Sequence, residues 1–323
     1  MSKMHGGMAA LQLAAIGFLA AAPSLYFLPN AAEAARPFAL MAAQTPPFEE
    51  GLYAHSRGDF AVALTWFHQG AAAGVPEAQF YLGWMYTQGE GAAADPIEAI
   101  RWYRAAADQG YAAAQSDLGT LHAAGLGVRQ DYQEAVRWYR MAADQGEAVA
   151  QFNLAIAYDK GEGVGQDQAE AARWYRRAAE QGHAEAQNNL GSLYRLGEGV
   201  ARSDAEAAAW FGKAAAQGVA FAQYSLGWLH SQGDGVPQDH RTAMRWFALA
   251  AEQGHAQAQY FLGIAHLTGV GVERDNFRAY LWLSLADAGG DPDAAALRQE
   301  LAEHMQPAQI QAVELTVRKW RRK

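Results

Sequence analysis

Apolar and polar positions follow a helical spacing, and the pattern repeats every 36 residues. In one unit, Ala78, Leu82 and Tyr86 stand four apart. Residues four apart lie on one side of an α-helix. A second apolar stripe follows after Asp95. The pattern therefore predicts two amphipathic helices per unit, the first over roughly 76–88 and the second beginning near Asp95.

Proline, glycine and aspartate mark the ends of these helices. Pro76 suits a first helical turn, and Gly89 and Gly91 end the first helix because glycine takes positive φ readily. An aspartate or serine then precedes the second helix as its predicted N-cap. This column reads Asp95, Asp131, Asp167, Ser203, Asp239 and Asp275. Glutamates three residues later complete the spacing of a capping box: Glu98, Glu134, Glu170 and Glu206.

Seven of the ten tryptophans form a column with the same period: Trp66, Trp102, Trp138, Trp174, Trp210, Trp246 and Trp282. A glutamine column keeps the period as well: Gln79, Gln115, Gln151, Gln187, Gln223 and Gln259. A fixed period of about 20–50 residues is typical of solenoids. One unit cannot bury its apolar stripe alone, so stacked neighbours must build a shared core. The predicted fold is an all-α helical solenoid.

The repeat pattern also predicts the domain organisation. Six full units span 75–290. Residues 47–74 form a shortened unit without the Gly-x-Gly turn, which predicts an N-terminal capping half-repeat. Residues 291–323 predict two closing helices, over 291–305 and 307–320, and a basic tail. Terminal units of an array are atypical because each has one solvent-facing side.

The first residues, 1–34, predict a targeting segment. After Lys3 no charged residue occurs until position 33, and an A-x-A cleavage pattern ends at Ala34. We interpret this as a secretory signal peptide, which implies an exported, periplasmic protein. The alternative is an inner-membrane anchor through residues 8–29, since about 20 apolar residues span a bilayer. Residues 35–46 predict a linker.

Together, the columns resemble a known family. The pattern AQ..LG..Y..G.GV..D...A..WY..AA.QG resembles the Sel-one-like repeat (SLR), a variant of the tetratricopeptide repeat, over about 47–320. The resemblance implies a right-handed α/α superhelix that binds proteins or peptides, with adaptor roles in the cell envelope, signalling or protein quality control. The chain has no cysteine and so departs from the disulfide-rich secreted branch of the family.

Variable columns on the first helix indicate a candidate binding face. Positions equivalent to 77, 80, 84, 87 and 88 share one side of that helix, and in the family this side lines the concave groove. Large aromatic residues there would anchor a peptide or protein; alternatively, they pack against neighbouring helices. The candidate partner-binding residues are Trp84, Trp228, Tyr224, Tyr260, Phe80, Phe152, Asn188, Arg195, Asp159 and Lys160.

Composition and motifs narrow the range of partners and activities that the chain can have. The net charge of −9 argues against a nucleic-acid partner. Catalytic and phosphate-binding motifs are not found, and without cysteine no thiolate can act as nucleophile or ligand. His230 and His266 replace an aromatic residue in a packing column, about 10 Å apart in stacked helices. We therefore expect no catalytic residue, no metal and no cofactor.

The sequence thus predicts a non-enzymatic scaffold that binds protein or peptide partners through the concave face. Two alternatives stay open: a cell-wall binding protein that uses the same aromatics with Asn188 and Asp159, and an envelope hydrolase. The basic tail, 318–323, suits a solvated helix end. Its alternative role is contact with an anionic membrane or an acidic partner.

Overall fold

A computed structural model describes residues 47–320, and these residues form sixteen α-helices and no strand. In chain order the helices are α1 (Pro47–Ser56), α2 (Phe60–Ala72), α3 (Pro76–Gln88), α4 (Pro96–Ala107), α5 (Ala112–Ala124), α6 (Tyr132–Asp144), α7 (Ala148–Lys160), α8 (Gln168–Glu180), α9 (Ala184–Leu196), α10 (Asp204–Ala216), α11 (Ala220–Gln232), α12 (His240–Glu252), α13 (Ala256–Thr268), α14 (Asn276–Ala288), α15 (Ala294–Ala302) and α16 (Pro307–Trp320).

These helices stack in chain order. Each first helix packs on the second helix of its own unit, and each second helix packs on the first helix of the next unit. At the C-terminal end, α15 and α16 both pack against α14. The predicted all-α solenoid is confirmed. The signal segment and linker predicted before residue 47 lie outside the described residues.

The second helices begin at the predicted N-caps, but the capping box does not close. The Asp95 carboxylate accepts hydrogen bonds from the backbone N–H groups of Ile97 and Glu98, at 3.0 and 3.2 Å. The backbone N–H of Asp95 donates instead to the Tyr86 carbonyl, at 2.9 Å. Because that donor is already satisfied, the Glu98 carboxylate pairs with Arg101, at 3.4 Å. The same pairs recur as Glu134–Arg137 and Glu170–Arg173.

The second glycine of each turn joins one unit to the preceding one. Gly163 has φ +74°, which favours glycine. A Cβ atom placed there would lie 2.1 Å from the Tyr132 carbonyl oxygen at the start of α6. The turn after α7 can therefore approach α6 only without a side chain at Gly163.

The deepest side chains are not the tryptophans but the residues that follow them. Tyr103, Tyr175, Phe211 and Phe247 are each at most 2% exposed, whereas Trp102 is half-buried. The full column reads Phe67, Tyr103, Tyr139, Tyr175, Phe211, Phe247 and Leu283. Burial of one such side chain contributes about 1.5–3 kcal/mol. Trp138, Trp174 and Trp210 are buried as well, at 6–9% exposed, so the tryptophan column adds to the core beside the more deeply buried column that follows it.

Glutamine side chains connect three consecutive helices. Gln115 of α5 donates to the Ala107 carbonyl of α4, at 3.0 Å, and accepts from the Gln145 amide after α6, at 2.8 Å. The amide-to-amide bond recurs at Gln109–Gln79, Gln181–Gln151, Gln217–Gln187 and Gln253–Gln223. Buried polar groups are costly without partners. Each of these periodic glutamines is thus explained by two bonds: its bond to the carbonyl joins it to the preceding unit, and the amide-to-amide bond joins it to the second helix of its own unit.

Candidate functional site

The first helices present one side that the second helices do not cover. We call it the groove face, formed by the columns equivalent to positions 77, 80, 81, 84, 87 and 88 on α3, α5, α7, α9, α11 and α13. Ala78, Leu82 and Met85 on the other side of α3 are buried, whereas Tyr81 and Trp84 are partly exposed.

One further column of this face was not predicted from the sequence. It reads Tyr81, Asp117, Asn153, Asn189, Ser225 and Phe261. Position 81 follows position 77 by four residues and precedes position 84 by three, so its helical spacing was a usable signal. The column is aromatic at both ends and polar in between, so no single residue type marks it along the chain.

At the N-terminal end of the groove face the two predicted aromatic residues differ in accessibility. Trp84 is half-buried, and its ring meets that of His55 with centroids 5.0 Å apart. Phe80 is only 6% exposed and packs on Tyr103 and Tyr111, with centroids 5.7 and 5.2 Å away. Trp84 can offer surface to a partner, whereas Phe80 serves mainly the packing.

Phe152 is also covered, by a histidine from the next unit. The rings of Phe152 and His183 stack with centroids 4.4 Å apart, and Phe152 is 8% exposed. His183 Nδ1 accepts a hydrogen bond from the Ala186 backbone N–H, at 3.3 Å. Burial lowers the pKa of His183, which favours the neutral ring that can accept this bond. His183 thus caps α9 as well as covering Phe152.

The middle of the groove face is polar. Asn188 Nδ2 donates to Asn189 Oδ1, at 3.2 Å, while Asn188 Oδ1 is buried without a hydrogen-bond partner among the described residues. Arg195 is half-buried, Lys160 is exposed, and neither has an ion-pair partner within residues 47–320. The predicted residues Asn188, Arg195 and Lys160 lie on the neighbouring first helices α7 and α9. Each therefore has a polar or charged group that the described part of the chain leaves without a partner.

Tyrosine hydroxyls from the second helices support this polar segment. The Tyr139 hydroxyl donates to Thr120 Oγ1, at 3.2 Å. The Tyr175 hydroxyl donates to Asp159 Oδ2, at 3.3 Å. Asp159 is thus held by a buried residue rather than by solvent alone. In the later units the same column contains Phe211, Phe247 and Leu283, which have no hydroxyl.

Asp117 is an unusual carboxyl group on this face. Burial raises its pKa to about 7, a hydrogen bond from Tyr103 opposes that shift, and the nearby Glu147 adds to it. The group therefore changes charge near neutral pH. A cationic group placed beside Asp117 would favour its ionised form.

The C-terminal end of the groove face is an aromatic cluster. Phe261 lies at its centre, with ring centroids 5.4 Å from Trp228, 5.4 Å from Phe247 and 5.7 Å from Tyr260. Tyr224 joins it at 6.2 Å from Phe261. The structure thus brings together three predicted residues, Tyr224, Trp228 and Tyr260, each of them half-buried. Tyr224 also stacks on His255, at 4.5 Å.

Two further observations concern the described residues only. Within 47–320, no group of three or more histidine, aspartate and glutamate side chains could hold a metal ion. No helix of that range is both long and apolar enough to cross a bilayer. The predicted signal peptide or anchor, with its apolar stretch at 8–29, falls outside this range.

Comparison with known proteins identifies the family. The Sel1 repeat model matches seven consecutive segments, at 48–75, 76–111, 112–147, 148–183, 184–219, 220–255 and 256–291. The chain therefore belongs to the Sel1 repeat family, as the resemblance to SLR proteins predicted. Proteins of this family generally act as scaffolds for protein interaction. The first of these segments, 48–75, overlaps the shortened unit predicted at 47–74.

Solved structures include similar proteins. A Sel1 repeat protein from Oxalobacter formigenes is 31% identical, with a TM-score of 0.67 over 75% of this chain and 97% of that chain. A protective antigen of uropathogenic Escherichia coli with an SLR fold is 28% identical, with a TM-score of 0.36 over 85% of this chain and 83% of that one. No curated protein sequence matched the chain.

Proposed function

We propose that the chain is a non-enzymatic scaffold whose groove face binds an extended segment of a partner protein. The observation that carries this proposal is the polar segment of α7 and α9. Its side chains are partly accessible, have hydrogen-bonding capacity left over, and lie between two aromatic clusters. Buried polar atoms without partners are uncommon in folded proteins, and Asn188 Oδ1 is such an atom in this segment.

The chemistry of this segment suits a peptide backbone. An asparagine side chain carries two N–H donors and an accepting oxygen, so it can pair with both polar groups of a peptide unit. Asn153 and Asn189 occupy the same column in adjacent units and can do so at successive points along one ligand. Trp84 at one end and Trp228 at the other supply partly exposed aromatic surface, which commonly anchors a bound chain.

Site-specific photocrosslinking tests this proposal. A photoreactive side chain at Asn153 is compared in cells with the same group at Ala209, an exposed residue of α10 outside the groove face. We expect a discrete protein adduct from position 153 and none from position 209. Equal adducts from both positions, or none from 153, would contradict the proposal. An adduct released by wall-degrading enzymes instead would favour the cell-wall alternative.

Export to the periplasm is proposed on the segment 1–34 alone. The apolar stretch after Lys3 and the A-x-A pattern ending at Ala34 support a cleaved signal peptide. Cell fractionation and N-terminal sequencing of the mature protein test it. A new N-terminus near residue 35 is expected, whereas an intact N-terminus in the membrane fraction would support the inner-membrane anchor.

A further inference from the structure

A cleft lies on the second-helix side of the last units, away from the groove face. It opens between α12 and α14 and has a volume of about 600 Å³. Met244, Leu262 and Trp282 contribute apolar surface, and Arg241 and Arg245 also line it. An apolar pocket with a few polar groups is the usual form of a ligand site.

In earlier units, one side chain fills the equivalent space. Arg104 of α4 extends toward α5 and α6, where its Nη2 is 3.3 Å from His122 Nε2 and its guanidinium is 5.7 Å from the Trp138 ring. The next two units repeat the contact, with Arg140 bonded to the Tyr158 hydroxyl and Arg176 to the Tyr194 hydroxyl. The column reads His68, Arg104, Arg140, Arg176, Gly212, Ala248 and Ser284.

Ala248 leaves this space open at the cleft. Its unit places His266 and Trp282 at the positions that His122 and Trp138 occupy around Arg104. The methyl group of Ala248 cannot reach them as an arginine does. The units of Arg104, Arg140 and Arg176 therefore fill this space with their own side chain, whereas Gly212, Ala248 and Ser284 are too short to do so.

The same unit also leaves its arginine without an acidic partner. Arg101, Arg137 and Arg173 each pair with a glutamate three residues earlier. At Arg245 that position holds Thr242, whose hydroxyl donates to the N-cap Asp239, at 2.6 Å. Neither Arg241 nor Arg245 forms an ion pair within residues 47–320.

The charge around the cleft is positive. Glu273 is the one acidic residue among those lining it, and the lining Arg278 already pairs with Asp275, at 3.5 Å. Trp282 contacts Trp320 of α16, with ring centroids 6.0 Å apart. Arg318 and Lys319 precede Trp320 in the last turn of that helix. Two unpaired guanidinium groups beside apolar surface complement a ligand that is both acidic and apolar.

We propose that this cleft binds an acidic peptide segment of a partner protein. A glutamate or aspartate carboxylate accepts from Arg245 and Arg241, and an adjacent large apolar side chain packs on Trp282 and Met244. This second site is independent of the groove face, so a scaffold that uses both would hold two partner segments at once.

The test uses purified protein and an end-blocked peptide, acetyl-Gly-Ser-Phe-Glu-Gly-Ser-amide, with binding measured by calorimetry. We expect saturable binding that weakens at least tenfold when the peptide glutamate becomes glutamine. Arg245→Ala should weaken it by a similar factor. Ala248→Arg should abolish it, since it refills the cleft as Arg104 does in its own unit. Ala209→Arg adds the same charge at an exposed position of α10 and should leave binding unchanged.

Three results would overturn the proposal. The first is peptide binding that survives Ala248→Arg in a variant whose helical content matches the parent. The second is phenylacetate binding as tightly as the peptide, which would make the site one for small carboxylates. The third is binding to phosphatidylglycerol vesicles, lost in Arg245→Ala, with no binding of the peptide. Loss of the groove adduct at Asn153 would leave this outcome unaffected, so the two sites are tested separately.

Discussion

The polar middle and the aromatic C-terminal end of the groove face differ because different side chains lie behind them. In the middle, Tyr139 and Tyr175 extend a hydroxyl to first-helix residues such as Thr120 and Asp159. Toward the C-terminus the same column holds Phe247, which faces Phe261 with ring centroids 5.4 Å apart. A hydroxyl beneath the surface permits a polar residue above it, whereas a phenyl ring favours an apolar one.

The aromatic end and the polar middle of the groove face therefore contribute differently to the fold. Aromatic residues at the C-terminal end bury large apolar areas, and such packing contributes mainly stability. Polar residues in the middle add little net stability, because they exchange bonds with water for bonds with protein. Under the proposed function, the middle of the groove face would select the partner, and the aromatic end would mainly stabilise the array.

The largest expected effect comes from the column of position 81, with one residue replaced in the aromatic end and one in the polar middle. Phe261→Ala should destabilise the C-terminal units by about 3 kcal/mol, since four rings lose their shared contact. Asn153→Ala, its counterpart in the polar middle, should cost less than about 1 kcal/mol. Hydrogen exchange resolved by peptide reports each region separately. Equal losses at both positions would remove the distinction drawn between them.

An intermediate effect is expected from Asp117. Its pKa of about 7 exceeds the ordinary 3.8, so the folded state holds this proton more tightly than the unfolded state. The contribution to stability is therefore fully present below about pH 4 and is lost as the pH rises through 7. Asp117→Asn should remove this loss, and its stability relative to the parent should rise by about 2 kcal/mol between pH 5 and pH 7.

Denaturant titrations at both pH values measure that difference. Asp159→Asn is the comparison variant, because it alters another carboxylate of the groove face while leaving Asp117 in place. A relative stability of Asp117→Asn that does not change with pH would show that the Asp117 carboxyl titrates in the folded protein as it does in water.

The smallest effect concerns one hydroxyl. Tyr175→Phe removes the donor to Asp159 and keeps the ring, which should cost about 1 kcal/mol around α7 to α9. The change makes this unit resemble the later ones, where Phe211 already stands in the column. Faster hydrogen exchange in α7 is the expected signature. An unaltered exchange rate would mean that the bond to Asp159 contributes nothing to the folded state.

Much of the fold could be predicted because each unit repeats the same local signals. The 36-residue period, the turn glycines and the aspartate N-caps placed α3 at Pro76–Gln88 and the start of α4 after Asp95, as observed. The prediction of a capping box was wrong because the backbone N–H of the N-cap Asp95 already donates to the Tyr86 carbonyl. That bond joins two helices, and no local sequence pattern indicates it.

The candidate site could be predicted only in part, because the columns that matter there vary. Trp84, Trp228 and Tyr224 lie on the groove face, yet Phe80 and Phe152 are covered by Tyr111 and His183, which come from the following unit. The burial of such a side chain depends on how closely the next unit packs against its own unit. Helical spacing within one helix does not reveal this packing. The open cleft at Ala248 likewise became visible only by comparing equivalent positions in three dimensions.

The glutamine bonds between units have a consequence for how such a chain can change over generations. Each bond of the type Gln115 to the Ala107 carbonyl uses the same donor and acceptor as the next. If residues 112–147 were excised, Gln151 would meet the end of α4 as Gln115 does now. Gain or loss of 36 codons by recombination therefore leaves the same hydrogen bonds at the new junction between units. The number of repeats can thus change during evolution without a change in these bonds.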